Sequence, residues 1–225
     1  MTFFQRVEGV FFSPRATLEA VAQKPVWWDV LIVTLISTII FSVVIMPYAT
    51  QDALANLQAQ GGTAPADLSQ MPKWILIIGG VAGLFSILFF IFLSCGIITL
   101  VGRFFSQEGD FSKILAVYLH AGLVDSLLGN IIRLVLVLMK KTFRVSTSLA
   151  LLLPSDTPVR SFPYVLLSQF DFFRLWAVII MAFGLSAVFK VDRKKALLIS
   201  FLAWFILTLI FAGLSGLGLA LQKKR

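Results

Sequence analysis

The sequence is poor in the side chains on which most protein chemistry depends. It has one cysteine, Cys95, and one histidine, His120. A single cysteine excludes an intrachain disulfide framework and a cysteine-built metal site. A lone histidine with no cysteine or carboxylate cluster beside it lacks metal-ligand spacing. No cofactor or metal is therefore expected. Charge is scarce too, at 13% of residues, against about a quarter in an ordinary soluble domain. No phosphate-cradling Gly-Lys loop is present. The chain also lacks long alternating apolar and polar runs, which argues against a β-barrel.

Apolar side chains dominate instead, at 59% of 225 residues, with a mean hydropathy of +0.94. A soluble fold of that composition could not cover its own core, whereas lipid-facing positions can stay apolar. A spanning helix needs about 20 mostly apolar residues. Five stretches qualify: 28–48, 74–101, 114–139, 172–189 and 196–221. Trp27, Trp28, Trp74 and Trp176 lie near their ends, where amphipathic rings favour the headgroup level. Trp204 is deeper and reads as a packing residue. The expected fold is an all-α integral membrane protein, a five-helix bundle over 28–222 preceded by a short amphipathic interfacial segment over 1–27.

That N-terminal segment alternates Phe pairs with Arg6, Glu8, Arg15 and Glu19, so it is not read as a cleavable signal peptide. Ser13-Pro14 predicts a helix start, with Ser13 as N-cap. The helix should end near Lys24-Pro25, and both pieces are expected along the membrane surface. Between spans one and two, Thr50 could cap a short helix stopping at Gly61-Gly62. Between spans three and four, the apolar run Leu149 to Leu153 is too short to cross and reads as interfacial or re-entrant.

The net charge is +8. The basic residues sit at the ends of apolar runs, which points to lipid headgroups and membrane orientation, not to nucleic acid. The cluster Lys190, Arg193, Lys194 and Lys195 is a candidate for headgroup contact. Basic residues on the two sides are nearly balanced. The first hairpin has a basic N-terminal flank and no Lys or Arg between Ala49 and Pro72, which places the N-terminus in the cytoplasm. The Lys223-Lys224-Arg225 tail argues the other way.

Span three holds the one polar seam. Tyr118, Gly122, Asp125, Ser126, Gly129 and Arg133 fall on one helical stripe, Asn130 borders it and His120 points away. Ionisable groups at membrane depth are costly and mark functional candidates. Asp125 and Arg133 are two turns apart, too far for an i,i+4 pair, although a shared partner or a water could link them. The seam could meet a lipid headgroup, an ion or a partner helix. The structural alternative pairs Asp125 with a basic group on another helix and lets Arg133 extend toward the interface. Gly213-Leu214-Ser215-Gly216 matches the motif of rhomboid intramembrane proteases. No histidine follows Ser215, however, and a serine without a base is a poor nucleophile. Ala212, Gly216 and Ala220 read as a packing stripe, as do Gly79 and Gly83.

Three stretches together resemble the YIP1 family. They are Phe12-Ser13-Pro14-Arg15-Ala16-Thr17-Leu18-Glu19 with Lys24-Pro25-Val26-Trp27, then Phe111-Ser112-Lys113-Ile114 entering span three. The last is Phe172-Phe173-Arg174-Leu175-Trp176 with Gly184-Leu185 and Lys194-Lys195-Ala196-Leu197. Their order, with five spans, covers nearly the whole chain. Family members often carry a proline inside span three, where this chain has Val124-Asp125. The resemblance implies a non-enzymatic membrane protein. Eukaryotic relatives act in Golgi and endoplasmic reticulum trafficking and bind Rab-type GTPases. They carry a longer N-terminal region, so the short stub here is similar to prokaryotic members of the cytoplasmic (inner) membrane. The partners it implies are the bilayer, other membrane proteins or a second copy of the chain. The competing expectation is a small carrier or lipid-translocating protein using the span-three seam.

Overall fold

The computed structural model describes residues 1–59, 73–143, 145–154, 157–159 and 161–222. Gly61-Gly62, Arg144, Arg160 and the Lys223 to Arg225 tail lie outside the described residues. In chain order the helices are α1 (Phe3–Phe12), α2 (Pro14–Gln23), α3 (Trp28–Ala59), α4 (Lys73–Arg103), α5 (Phe111–Leu123) and α6 (Asn130–Lys140). They are followed by α7 (Phe162–Ser168), α8 (Phe172–Phe189) and α9 (Arg193–Gln222). A π-helical segment, Val124–Gly129, joins α5 to α6 into one continuous rod. No strand occurs among the described residues.

Five helices are long and apolar enough to cross a bilayer: Trp28–Asp52, Ile78–Arg103, Phe111–Lys140, Phe172–Phe189 and Arg193–Gly216. The chain is thus a multi-pass membrane protein. Its outer face carries exposed Ile32, Ile36, Ile40, Val43, Phe85, Phe89 and Ile131, as contact with lipid requires. Span four is the most enclosed, at 56% buried, and span one the most peripheral, at 11%. α8 packs against α2, α5, α9 and the π segment. Its close approach to α5 is made at Gly184, where a Cβ would collide with the Val117 side chain.

Three local expectations change. The first is Thr50, which starts no helix: α3 runs through Pro47 and on to Ala59. Proline removes one backbone donor, and membrane helices tolerate this. The extension is anchored at Asp52, which accepts from Thr142 Oγ1 and Phe143 N at 2.7 Å each. The second is Ser13, which occupies the N-cap position of α2 without a side-chain capping bond. The capping box lies one helix earlier, where Thr2 and Gln5 bond each other reciprocally. The third is glycine packing in span two. A Cβ at Gly79 or Gly83 would meet nothing within 4 Å, so among the described residues these glycines are not packing sites.

The N-terminal helices do more than lie beside the bundle. Val10, Leu18, Val21 and Ala22 belong to the same buried cluster as Ile98, Val117, Leu185 and Ile199. Phe4 and Phe12 face outward, 79% and 83% exposed. α1 and α2 thus present one face to the bundle and an apolar edge to their surroundings. Leu149–Leu152 forms a single 3-10 turn, with Leu151 and Leu152 exposed, in keeping with a piece too short to span.

Candidate functional site

Asp125 stands half-way along the Phe111–Lys140 rod, at the π segment. There the Asn130 N–H bonds the Asp125 carbonyl five residues back. A π turn shifts backbone groups off their usual partners. The Ser126 carbonyl accepts from Ser37 Oγ at 2.5 Å and from Asn130 Nδ2 at 2.8 Å. Side chains on α3 and α6 therefore satisfy the break in the ladder.

The π turn also changes the geometry of the seam. Arg133 Nη2 donates directly to Asp125 Oδ1 at 2.5 Å. The expectation that the two are too far apart to pair is corrected: Arg133 folds back along the helix instead of extending to the interface. The same Nη2 donates to Asp171 Oδ1 at 2.8 Å, while Nη1 donates to Asn130 Oδ1 at 3.3 Å and Nε to Thr147 Oγ1 at 3.4 Å. The guanidinium lies 5.8 Å from the Phe173 ring centroid. On α8, Arg174 Nε donates to Asp125 Oδ2 at 3.3 Å and Nη1 donates to Gln169. Asp125 thus does pair with a basic group on a neighbouring helix.

Asp171 closes the network. It is the N-cap of α8, accepting from Phe173 N at 2.9 Å and Arg174 N at 3.4 Å, and it also accepts from Thr147 Oγ1. Asp125, Asp171, Arg133 and Arg174 sum to zero charge, and all four carboxylate oxygens are engaged. A lone charge at this depth would be costly, and only full mutual pairing makes four tolerable. The chain between α6 and α8 must fold back to deliver Thr147 and Asp171, and Ser148 and Asp171 form an antiparallel bridge there. Phe170 packs edge-on to Trp204, centroids 5.0 Å apart, near the middle of α9.

Beside the network lies a cavity of about 410 Å³ between α3, α4, α5, α8 and α9. Tyr118, Asp125, Ser126 and Arg174 line one part of it, with Gly122 on the same stripe. Gly122 has nothing within 4 Å of an added Cβ, whereas at Gly129 the Phe173 side chain is 3.1 Å away. Of the two glycines, one faces open space and the other admits α8.

His120 is fully buried on the opposite face of α5. Its Nε2 accepts from Arg6 Nε at 3.2 Å, and its Nδ1 lies 2.8 Å from the Ala116 carbonyl. Arg6 also pairs with Asp29. This second polar knot fastens α1 to α3 and α5. In the exposed cluster Lys190, Arg193, Lys194 and Lys195, Lys190 pairs with Glu108 at 2.9 Å and Lys195 with Asp192 at 3.7 Å. The hydrogen bond and charge of Lys190 hold the Glu108 carboxyl below its ordinary range. At Gly213 to Gly216, a Cβ on Gly216 would meet Phe162 at 3.5 Å, an ordinary contact distance, so α7 packs on α9 there without requiring a glycine.

Sequence reasoning named Tyr118, Asp125, Ser126, Asn130 and Arg133, and the fold brings them together. It missed Asp171, Thr147, Gln169 and the cavity-lining Thr34 and Thr208. Asp171 carried a signal, since an aspartate just before an apolar run is a helix start.

A family model described as the Yip1 domain matches residues 9–214. The chain is similar to membrane protein YknW of Bacillus subtilis (strain 168), with 28% identity over 215 residues, covering 93% of this chain and 89% of that protein. No solved structure matches. The chain belongs to the Yip1 domain family.

Proposed function

We propose that this Yip1-domain protein is non-enzymatic and acts by binding a lipid or protein partner within the bilayer. The proposed setting is a prokaryotic cytoplasmic membrane, with the N-terminus in the cytoplasm. One observation carries the reading: the charged groups of the span-three seam neutralise one another. Arg133 makes four hydrogen bonds, to Asp125, Asp171, Asn130 and Thr147. A general acid or a conducting path needs a group free to exchange protons or ligands. A network closed in this way supports a rigid framework that presents surfaces and a cavity. The basic N-terminal flank and the bacterial relative support the setting.

Crosslinking in native membranes followed by affinity capture tests the proposal. Reproducible enrichment of a defined partner or lipid class, with no turnover by the purified protein, is the expected result. Substrate turnover by the purified protein alone would overturn it. A reporter fused after Arg225 tests the orientation. It should report the side opposite the N-terminus, because five is an odd number of crossings.

A further inference from the structure

His120 carries the only imidazole in the chain, and it lies outside the span-three seam. It is fully buried, and its partner Arg6, on α1, is 8% exposed. Arg6 Nε donates to His120 Nε2 at 3.2 Å. A ring nitrogen that accepts carries no proton, so the proton of the neutral ring sits on Nδ1. There it can donate to the Ala116 carbonyl at 2.8 Å. Both ring nitrogens are engaged, and only this tautomer fits. Arg6 also donates to Asp29 and, at 3.1 Å, to the Met1 carbonyl.

An imidazolium carries a hydrogen on each nitrogen and can accept at neither. A second proton on His120 would turn an N–H toward the Arg6 N–H and place two cations side by side in a buried site. Two charged groups act on the ring, Arg6 on α1 and Asp29 on α3, and Asp29 is already paired with Arg6. The other charged groups on the helices around α5 are turned elsewhere. Glu8 of α1 is exposed, and Arg15 and Glu19 of α2 pair with each other. Arg103 of α4 bonds the Gln107 carbonyl, and Arg174 of α8 bonds Asp125 of the π segment. On α5 itself, Tyr118 lines the cavity, and Cys95 of α4 acts on Tyr118. Docking of α1 therefore requires the neutral ring.

The geometry points to an acid-sensitive latch, in which Arg6 holds α1 on the bundle only while His120 is unprotonated. The released form can bind a proton on the ring, and the docked form cannot. By linkage, docking is at full strength above the ordinary histidine value of about 6.5 and weakens by up to about tenfold per pH unit below it. No other side chain of ordinary acidity changes charge between about pH 5 and 8. Release uncovers Phe3, Val7, Val10 and Phe11, which pack on the core, beside the exposed Phe4 and Phe12. Acid thus converts α1 from a bundle helix into a free apolar one.

Hydrogen exchange on the full chain in nanodiscs tests the latch. The readout is the protection factor of the α1 amides from Val7 to Phe12, which is corrected for the intrinsic pH dependence of exchange. In the wild type, protection should fall about tenfold between about pH 7.5 and 5.5. In His120→Gln the side-chain oxygen can still accept from Arg6 but does not titrate, so protection should stay level over the same range. A chain-terminal amine also titrates near this window, and the variant retains it, which separates the two groups. Nitrogen NMR of the ring in the wild type gives a second reading should His120→Gln fail to fold, and with a single histidine the signals need no assignment. At neutral pH they should show Nδ1–H and a bare Nε2, with the second proton appearing only as α1 loses protection. Protection that stays flat in the wild type, or falls equally in His120→Gln, would overturn the latch. So would an Nε2–H tautomer at neutral pH, or an imidazolium beneath a still-protected α1.

Discussion

Arg133 and Asp125 show how a residue pair at membrane depth is made tolerable. Removing one member of a buried ion pair strands the others and typically costs about 3–5 kcal/mol. Asp125 bridges Arg133 and Arg174, so its loss leaves Arg174 with no carboxylate and Arg133 with Asp171 alone. Asp125→Ala should lower stability by about 3 kcal/mol, read as a falling unfolding midpoint in detergent. Ser37→Ala removes only the bond to the Ser126 carbonyl and should cost about 1 kcal/mol, measured the same way. The difference follows from what each change leaves behind: Asp125→Ala takes the carboxylate from Arg174, whereas the Ser126 carbonyl keeps its bond from Asn130. The seam was legible because Asp125 and Arg133 interrupt an apolar run. Its partners were not, because Thr147 and Asp171 reach it through a folded-back segment that helical periodicity does not describe.

At the scale of elements, span three breaks midway along its length. Here Val124 to Gly129 relaxes into a π turn, which lets a side chain eight residues away reach Asp125. No residue type announces a π turn, so periodicity drew a straight helix and put the pair out of reach. Thr50 failed for the opposite reason. Local capping chemistry was present, but the continuing helix is held by Asp52 against Thr142 and Phe143. The α1–α2 pair makes a further prediction. Arg6 ties α1 to Asp29 and His120, so Arg6→Ala should free α1. Limited proteolysis should then cut between Phe11 and Pro14 much faster than in the wild type. Gly184→Val would force a side chain against Val117 and should cost about 1–3 kcal/mol, again read as a lower midpoint.

At the scale of the whole molecule, five crossings were legible from the long apolar runs, from Leu149 to Leu153 being too short to cross, and from the family resemblance. Composition says much less about what lies between the helices. The cavity lining draws Thr34, Ser126 and the pair Trp204 and Thr208 from three separate segments, and Trp204 alone looked like plain packing. Charge outside the membrane has its own signature. Glu108 is fully exposed and held below its ordinary range by Lys190. The small stabilisation from that pair is present above the unfolded-state pKa and fades as pH falls through the lower folded value. In an NMR titration, the Glu108 midpoint should rise in Lys190→Gln.

The central claim is that the span-three seam locks the bundle and does not conduct or catalyse. It is tested most directly by reconstituting wild type and Asp125→Ala in liposomes and recording ion and lipid flux together with the unfolding midpoint. The account predicts flux equal to empty vesicles for both proteins and a clear drop in midpoint for the variant. Flux through the wild type that Asp125→Ala abolishes at an unchanged midpoint would contradict it.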